Sequence, residues 1–422
     1  MPHPDCIPPL VAPRARGARV PRLGRRLAPL LAQVLVVAAL GCREDVTSPT
    51  GRTGPTAPAL AAGAVAGTLS FRQVDEGWEH GCGVTTDDRA YCWGSNVVGQ
   101  LGDGTKTDHL APVAVAGGLR FRHVSTGSAH TCGVTTDYVA YCWGYNFRGQ
   151  IGDGTTSSRL KPVRVAGGRR FRQIRAGNQH TCALTTGDVA FCWGYNIYGQ
   201  LGAGTTLPRR LTPVPVAGGL TFRHLSGRNY HTCGLATSGR AYCWGLNEYG
   251  RIGDGTTTNR LSPRAVAGGV GFRLLSAGGL HTCGLTTDNR AYCWGGNPDG
   301  QLGDGTTTGH LTPAAVAGGL LFDGVSATGN SHTCGVTQDH HAYCWGRNTT
   351  GQLGDGTTIT RLTPTAVGGR AGFRGISAGG KDTCGLTPTD QAYCWGSNNR
   401  GQDGDGTTSQ QHQLPVPVAG PM

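Results

Sequence analysis

The stretch His281-Thr-Cys-Gly-Leu-Thr-Thr-Asp-Asn-Arg-Ala-Tyr-Cys-Trp-Gly-Gly-Asn-Pro-Asp-Gly-Gln-Leu-Gly-Asp-Gly-Thr306 is one of seven close copies. Their tryptophans, Trp93, Trp143, Trp193, Trp244, Trp294, Trp345 and Trp395, fall about every 50 residues. A fixed period of this size marks a solenoid or a propeller, in which one supersecondary unit is stacked many times. Each unit holds four short strand-like runs, in the first copy Phe71–Val74, His80–Val84, Ala90–Trp93 and Pro112–Val115. That is the content of one propeller blade. Runs such as Ala291-Tyr-Cys-Trp294 are apolar on both faces, as a sheet packed between two others requires. The expected fold is all-β, a seven-bladed propeller of four-stranded antiparallel blades spanning residues 67–422.

Connections refine this expectation. Short Ala-Gly-Gly turns, as at Ala116–Gly118, link each Pro-Val run to the next Phe-Arg run, which predicts a hairpin between them. By the same logic Pro415–Val418 is expected to pair with Phe71–Val74 and close the ring without a free edge.

Residues 1–41 carry Arg14, Arg16, Arg19, Arg22, Arg25 and Arg26, then an apolar run from Leu27 to Leu40. This is the pattern of a secretory signal. Ala39-Leu40-Gly41-Cys42 resembles the lipobox of bacterial lipoproteins, which implies lipidation of Cys42 and anchoring at the cell envelope. Residues 42–66 lack a hydrophobic period and read as a tether. The formal charge of +12 overstates the mature chain, because without residues 1–41 there remain 31 basic and 24 acidic residues, a net +7. No lysine or arginine run suggests nucleic-acid binding.

His-Thr-Cys-Gly-Leu, Ala-Tyr-Cys-Trp-Gly-x-Asn and Gly-Gln-Leu-Gly-Asp-Gly-Thr together resemble the regulator of chromosome condensation repeat, whose members form seven-bladed propellers. The family's namesake is a nuclear exchange factor that binds chromatin. An exported chain meets neither partner, so that activity is not carried over. Some members inhibit secreted β-lactamases, which lends plausibility to protein binding without assigning residues.

Fourteen cysteines form seven pairs: Cys82 with Cys92, Cys132 with Cys142, Cys182 with Cys192, Cys233 with Cys243, Cys283 with Cys293, Cys334 with Cys344, and Cys384 with Cys394. A hairpin centred on Asp288 sets Leu285 opposite Ala291 and Cys283 opposite Cys293, within bridging distance. An oxidising compartment favours disulfides, each closing a loop worth about 2–3 kcal/mol in the chain-entropy model. The competing readings are buried thiols, or zinc held by His281, Cys283 and Cys293. The last copy, with Asp382 in place of histidine, argues against zinc, and no metal or cofactor is expected.

His80, His130, His180, His231, His281 and His332 share one repeat position, which suits a strut between blades better than a catalyst. Asp103, Asp153, Asp254, Asp304, Asp355 and Asp405 sit in Gly-Asp-Gly turns, where an Asx turn needs one carboxylate and calcium needs several. Asp403-Gly-Asp405 alone brings two carboxylates close together. No nucleophile elbow or phosphate loop is present, so an enzyme acting on envelope polysaccharide or peptide has little positive support. Acidic or histidine clusters at positions that break the repeat would mark one, and His340-His341 is the nearest candidate.

Strand parity places the Gly-x-x-His and Asn-x-x-Gly loops on one face and the Ala-Gly-Gly and Thr-Thr-Asp turns on the other. On the first face Trp78, Tyr145, Phe147, Tyr195, Ile197, Tyr198, Tyr230 and Tyr249 break the repeat, all in the first four units. The last three units have Pro298, Asp299, Arg347, Thr349, Thr350, Lys381, Asn399 and Arg400 there. Aromatics at loop positions are typical interface anchors; alternatively, they fold down onto neighbouring loops. The expectation is an envelope-anchored, monomeric interaction module binding a protein, or alternatively a glycan, through the aromatic arc. A structural or inhibitory propeller is the remaining alternative.

Overall fold

In the computed structural model, which describes residues 69–421 except positions 330 and 370, all regular structure is strand. The chain divides into two units, Met1–Ala62 and Gly63–Met422, and the second contains every described residue. The signal segment, Cys42 and most of the tether lie outside the described residues.

Twenty-eight strands form seven four-stranded sheets, each a sequential antiparallel meander. The first blade comprises Phe71–Glu76, His80–Thr85, Ala90–Gly94 and His109–Ala114. The seventh comprises Gly375–Ala378, Asp382–Leu386, Ala392–Ser397 and Gln411–Pro417. This is the seven-bladed propeller expected from the repeat. The central hairpin register is also as expected, with Leu285 opposite Ala291 and Cys283 opposite Cys293. The same register recurs around the ring, setting Cys132 opposite Cys142, Cys182 opposite Cys192, Cys233 opposite Cys243 and Cys334 opposite Cys344.

The core is not one mass but seven clusters, each between neighbouring blades. Trp143, for instance, packs on Cys82, Cys92 and Leu101 of the blade before it. All seven repeat tryptophans are fully buried. A buried indole N–H needs an acceptor, and Trp143 Nε1 donates to the Gln100 carbonyl at 3.0 Å. Such close packing explains the glycine before the turn aspartate. A Cβ on Gly102 would stand 2.5 Å from Trp143 Nε1, and its φ of +74° is one that side chains rarely adopt.

Two sequence expectations fail here, for one reason. The Pro-Val strand pairs backwards with the Ala-Tyr-Cys-Trp strand, as Tyr91 with Ala114, not forwards with the next Phe-Arg strand. The Ala-Gly-Gly turn therefore crosses between blades. Pro415–Val418 likewise does not join the first blade; Pro417 pairs with Tyr393. Proline lacks an N–H to donate and belongs on an edge strand, so each fourth strand, with Pro112 or its equivalent, is the outer edge of its blade. The ring closes through packing and single bonds instead. Phe71 N donates to Asp390 O at 2.8 Å, Trp93 Nε1 to Gln402 O at 2.9 Å, and Gly380 N to Gly77 O at 2.8 Å.

Candidate interaction face, blade seams and channel

Antiparallel order puts the Gly-x-x-His and Asn-x-x-Gly loops on one face, as parity predicts. There the aromatic residues of blades one to four behave in two ways. Tyr195, Tyr198 and Tyr230 are half-buried and pack edge-on, with centroids 5.4–6.5 Å apart. These three fold down onto each other. By contrast, Trp78, Phe147, Ile197 and Tyr249 are 36%, 56%, 42% and 46% exposed. Tyr145 stacks beneath Phe147 at 6.5 Å. Arg148 bridges the two groups, its guanidinium 5.5 Å from the Phe147 ring and 4.7 Å from that of Tyr195. Sequence reasoning missed Arg148, and also Val97, which occupies the Phe147 position of blade one and is equally exposed. Comparison of repeat positions for any large side chain, not aromatics alone, would have found both.

The repeated histidines are struts. His80, His130, His180, His231, His281 and His332 place Nε2 2.7–3.0 Å from a threonine Oγ1 of the next blade. That hydroxyl already donates its hydrogen, as Thr131 does to Gln100 O at 2.8 Å. Nε2 must therefore carry the imidazole hydrogen, leaving Nδ1 bare, and Nδ1 has no partner in any of the six. Burial drives their pKa values down, to about 3 for His80, so the rings are neutral.

All seven cysteine pairs are disulfides. Cys82 is bonded to Cys92, Cys132 to Cys142, Cys182 to Cys192, Cys233 to Cys243, Cys283 to Cys293, Cys334 to Cys344 and Cys384 to Cys394, with Cα atoms 4.0–4.1 Å apart. They are consistent with an oxidising, exported environment. Among the described residues one ligand-type trio converges, Glu76, Cys384 and Cys394, but its two sulfurs are already bonded to each other and offer no thiolate. The turn aspartates have their oxygens engaged: Asp153 accepts from Thr155 N at 3.0 Å and from Arg159 Nε at 2.7 Å. His340 and His341 sit at an exposed hairpin turn, where His341 pairs with Asp339 at 2.9 Å.

Clusters that break the repeat do exist, elsewhere than at His340. One lies at the seam between blades seven and one. There the histidine is replaced by Asp382, its threonine partner by Gly81, the buried leucine or isoleucine of the other blades by Asp403, and a small residue by Glu76. The changes compensate one another sterically, since a Cβ on Gly81 would stand 2.3 Å from Glu76 Oε1. All three acids are buried, and each has one carboxylate oxygen without a partner. Burial, then the charge of Asp382, raises the Glu76 pKa; burial, then Asp403, raises that of Asp382. Glu76 Oε1 lies 2.7 Å from Cys384 Sγ, a disulfide sulfur with no hydrogen, so the carboxyl supplies the proton. Burial lifts Asp403 to about 7 against the opposing hydrogen bond from His412, 2.7 Å away. No substrate reaches these sealed groups.

The second cluster lines the central channel, a cavity of about 360 Å³ bounded by the first strands of all seven blades. Gln73, His123, Gln173 and His224 occupy one position of those strands, and Leu274, Gly324 and Gly375 complete it. Two positions along, five blades have serine, where blade one has Asp75 and blade three Arg175. The serines and Asp75 bond the next blade, as Ser125 Oγ accepts from Ala176 N at 3.2 Å and Asp75 Oδ2 from Thr126 N at 2.6 Å.

A model of the RCC1-like domain matches residues 36–325, and models of the regulator of chromosome condensation (RCC1) repeat match 339–386, 324–352 and 373–402. The fold and its sequence define a propeller of the RCC1 class, and the chain belongs to that family. Human WBSCR16 has a similar structure, with TM-score 0.68 at 20% identity over 77% of this chain and 92% of that one. Saccharomyces cerevisiae Prp20p, studied for its binding to Gsp1p and histones, gives 0.68 at 19% over 83% and 87%. Yeast RCC1 (Prp20) bound to Kap60 gives 0.69 at 18% over 89% and 91%. No curated protein matches the chain. At these identities the likeness is one of fold.

Proposed function

We propose that the chain is an exported interaction module, anchored through Cys42, that binds a protein partner at the aromatic arc of its long-loop face. The observation that carries this reading is the exposure of Trp78, Phe147 and Tyr249 at loop positions where the last three blades have no aromatic residue. These rings stay partly exposed although Arg148 and Arg251 lie 5.5 and 5.4 Å from the Phe147 and Tyr249 ring centres, and large aromatics bury much area at low entropic cost when a partner covers them. Protein binding by the yeast relatives is in keeping with this use of the fold. Nearby, Arg148 offers a charged, planar contact of the kind enriched at interface centres.

The test is affinity capture from envelope extract, comparing the wild type with the triple variant Trp78→Ala, Phe147→Ala, Tyr249→Ala. A partner retained by the wild type and lost by a normally folded variant supports the reading. Equal capture by both removes the arc from the account.

A further inference from the structure

The channel has a polarity that the blade packing does not use. Arg175 replaces a serine that five other blades have at its position, and its guanidinium enters a lumen whose one lining carboxylate, Asp75, attracts it without forming an ion pair. Arg175 Nε donates to the Leu225 carbonyl at a long 3.3 Å, and Gln173 Nε2 shares that acceptor at the same distance. Its Nη1 lies 2.7 Å from His123 Nε2. That nitrogen also lies 2.9 Å from Ile174 O. At this strand position the side chain donates to the next blade's carbonyl, as Gln73 does to Val124 O at 2.7 Å. His123 Nε2 can serve only one of its two neighbours, Ile174 O and Arg175 Nη1, and a bare Nε2 accepts from Arg175 Nη1 where a protonated one would clash with it at 2.7 Å. Of the five guanidinium donors, those on Nη2 have no hydrogen-bond partner among the described residues.

The surroundings extend this excess of donors. His224 lines the same wall, its buried Nδ1 has no partner, and no hydrogen bond from the described residues holds its ring. Across the lumen Gly324 and Gly375 leave open space, with nothing within 4 Å of where a Cβ would be. At the long-loop end Arg228 stands where the other blades have a small residue and reaches across the channel. It donates to Thr126 O at 3.0 Å and to Gly77 O at 2.7 Å, closing the end beneath the aromatic face. At the other end the second residue of the inner strand is arginine in six blades. Arg172 and Arg273 each donate there to the next blade's phenylalanine carbonyl, at 2.9 and 2.8 Å. Arg72, Arg172 and Arg374 are ion-paired there with Asp88, Asp188 and Asp390, and Asp323 stands beside Arg273, so the end that opens away from the aromatic arc keeps a small positive excess.

We propose that this channel binds a small oxyanion, a carboxylate or phosphate group held by the Arg175 guanidinium with His224 beside it, entering through the arginine rim. A planar guanidinium with free parallel N–H groups matches an oxyanion bidentately. The site is separate from the protein-binding arc and stands without it.

The experiment is calorimetric titration of the protein with inorganic phosphate and, separately, citrate at low ionic strength, with His224 imidazole resonances followed by NMR. The comparison is Arg175→Ser, which installs the residue of five other blades and so preserves the channel wall. The double variant Arg240→Ser with Arg264→Ser, in an arginine-lined groove outside the channel between blades four and five, is the control. The expected result is saturable binding of at least one probe, a shift of His224, and weakening by about ten- to a hundredfold in Arg175→Ser alone. Response to one probe only assigns the oxyanion as phosphate or carboxylate. No saturable binding of either probe overturns the proposal, as does equal binding by Arg175→Ser or loss in the groove variant.

Discussion

Asp403→Leu at the seam between blades seven and one tests whether this protein keeps an acid buried where the other six blades have leucine or isoleucine. The folded-state pKa of Asp403 is about 7, against 3.8 for the free side chain. A raised carboxyl pKa means that the folded state binds the proton more tightly than the unfolded one. The associated stability is complete below about pH 4 and is lost as pH rises to about 7. Three pH units correspond to about 4 kcal/mol. His412, whose pKa is raised first by its hydrogen bond to Asp403, acts in the same direction, since its contribution is present below about pH 6.5 and is lost as pH rises. Leucine adds buried apolar surface worth about 2 kcal/mol and forfeits a hydrogen bond of about 1–2 kcal/mol, so these terms nearly cancel. The variant should match wild type near pH 4 and exceed it by about 2–4 kcal/mol at pH 8. Urea unfolding from pH 4 to 9, with the disulfides intact, gives the difference directly, and contributions from titrating groups other than His412 cancel. A difference that is flat, or that shrinks with rising pH, would refute the buried-acid account.

Other outcomes follow from the same geometry. The strut histidines are neutral when folded, with pKa values pushed down by burial. Their contribution is present above pH 6.5 and lost below it. His281→Ala should therefore flatten the acid limb of the stability curve while costing about 1–3 kcal/mol at pH 8 through the lost Nε2–H bond to Thr333, whose hydroxyl still donates to Gln301 O; an acid limb as steep as wild type would contradict the strut. Intact mass without reductant should show fourteen hydrogens fewer than the all-thiol chain, and thiol counting on residues 69–421 should find none; fourteen free thiols would end the bridge assignment. Phe147→Ala and Tyr249→Ala should each change stability by less than about 1 kcal/mol in thermal melts, because both rings are exposed; a core-sized loss would make them packing residues.

Much of the site was legible from local rules. The cysteine register followed from hairpin symmetry about Asp288, and the loop faces followed from strand parity, neither of which needs to know where the chain goes next. The split within the aromatic arc was not legible. Tyr198 and Phe147 look alike in sequence, yet Tyr198 meets Tyr230 only because adjacent blades bring their loops together. The error in strand pairing has a similar source, since a short turn permits a hairpin without requiring one.

By itself, then, the sequence determined the blade count, the four strand runs of each repeat, the disulfide partners and the two loop faces, because each is written within one period or in its repetition. Only the tertiary structure decided what happens when the ring closes. Glu76 meets Cys384 across 308 residues, and Arg228 reaches Gly77 across 151. Such pairs have no local signature, and the substitutions at Gly81, Asp382, Asp403 and Arg175 make sense only beside neighbours that closure supplies.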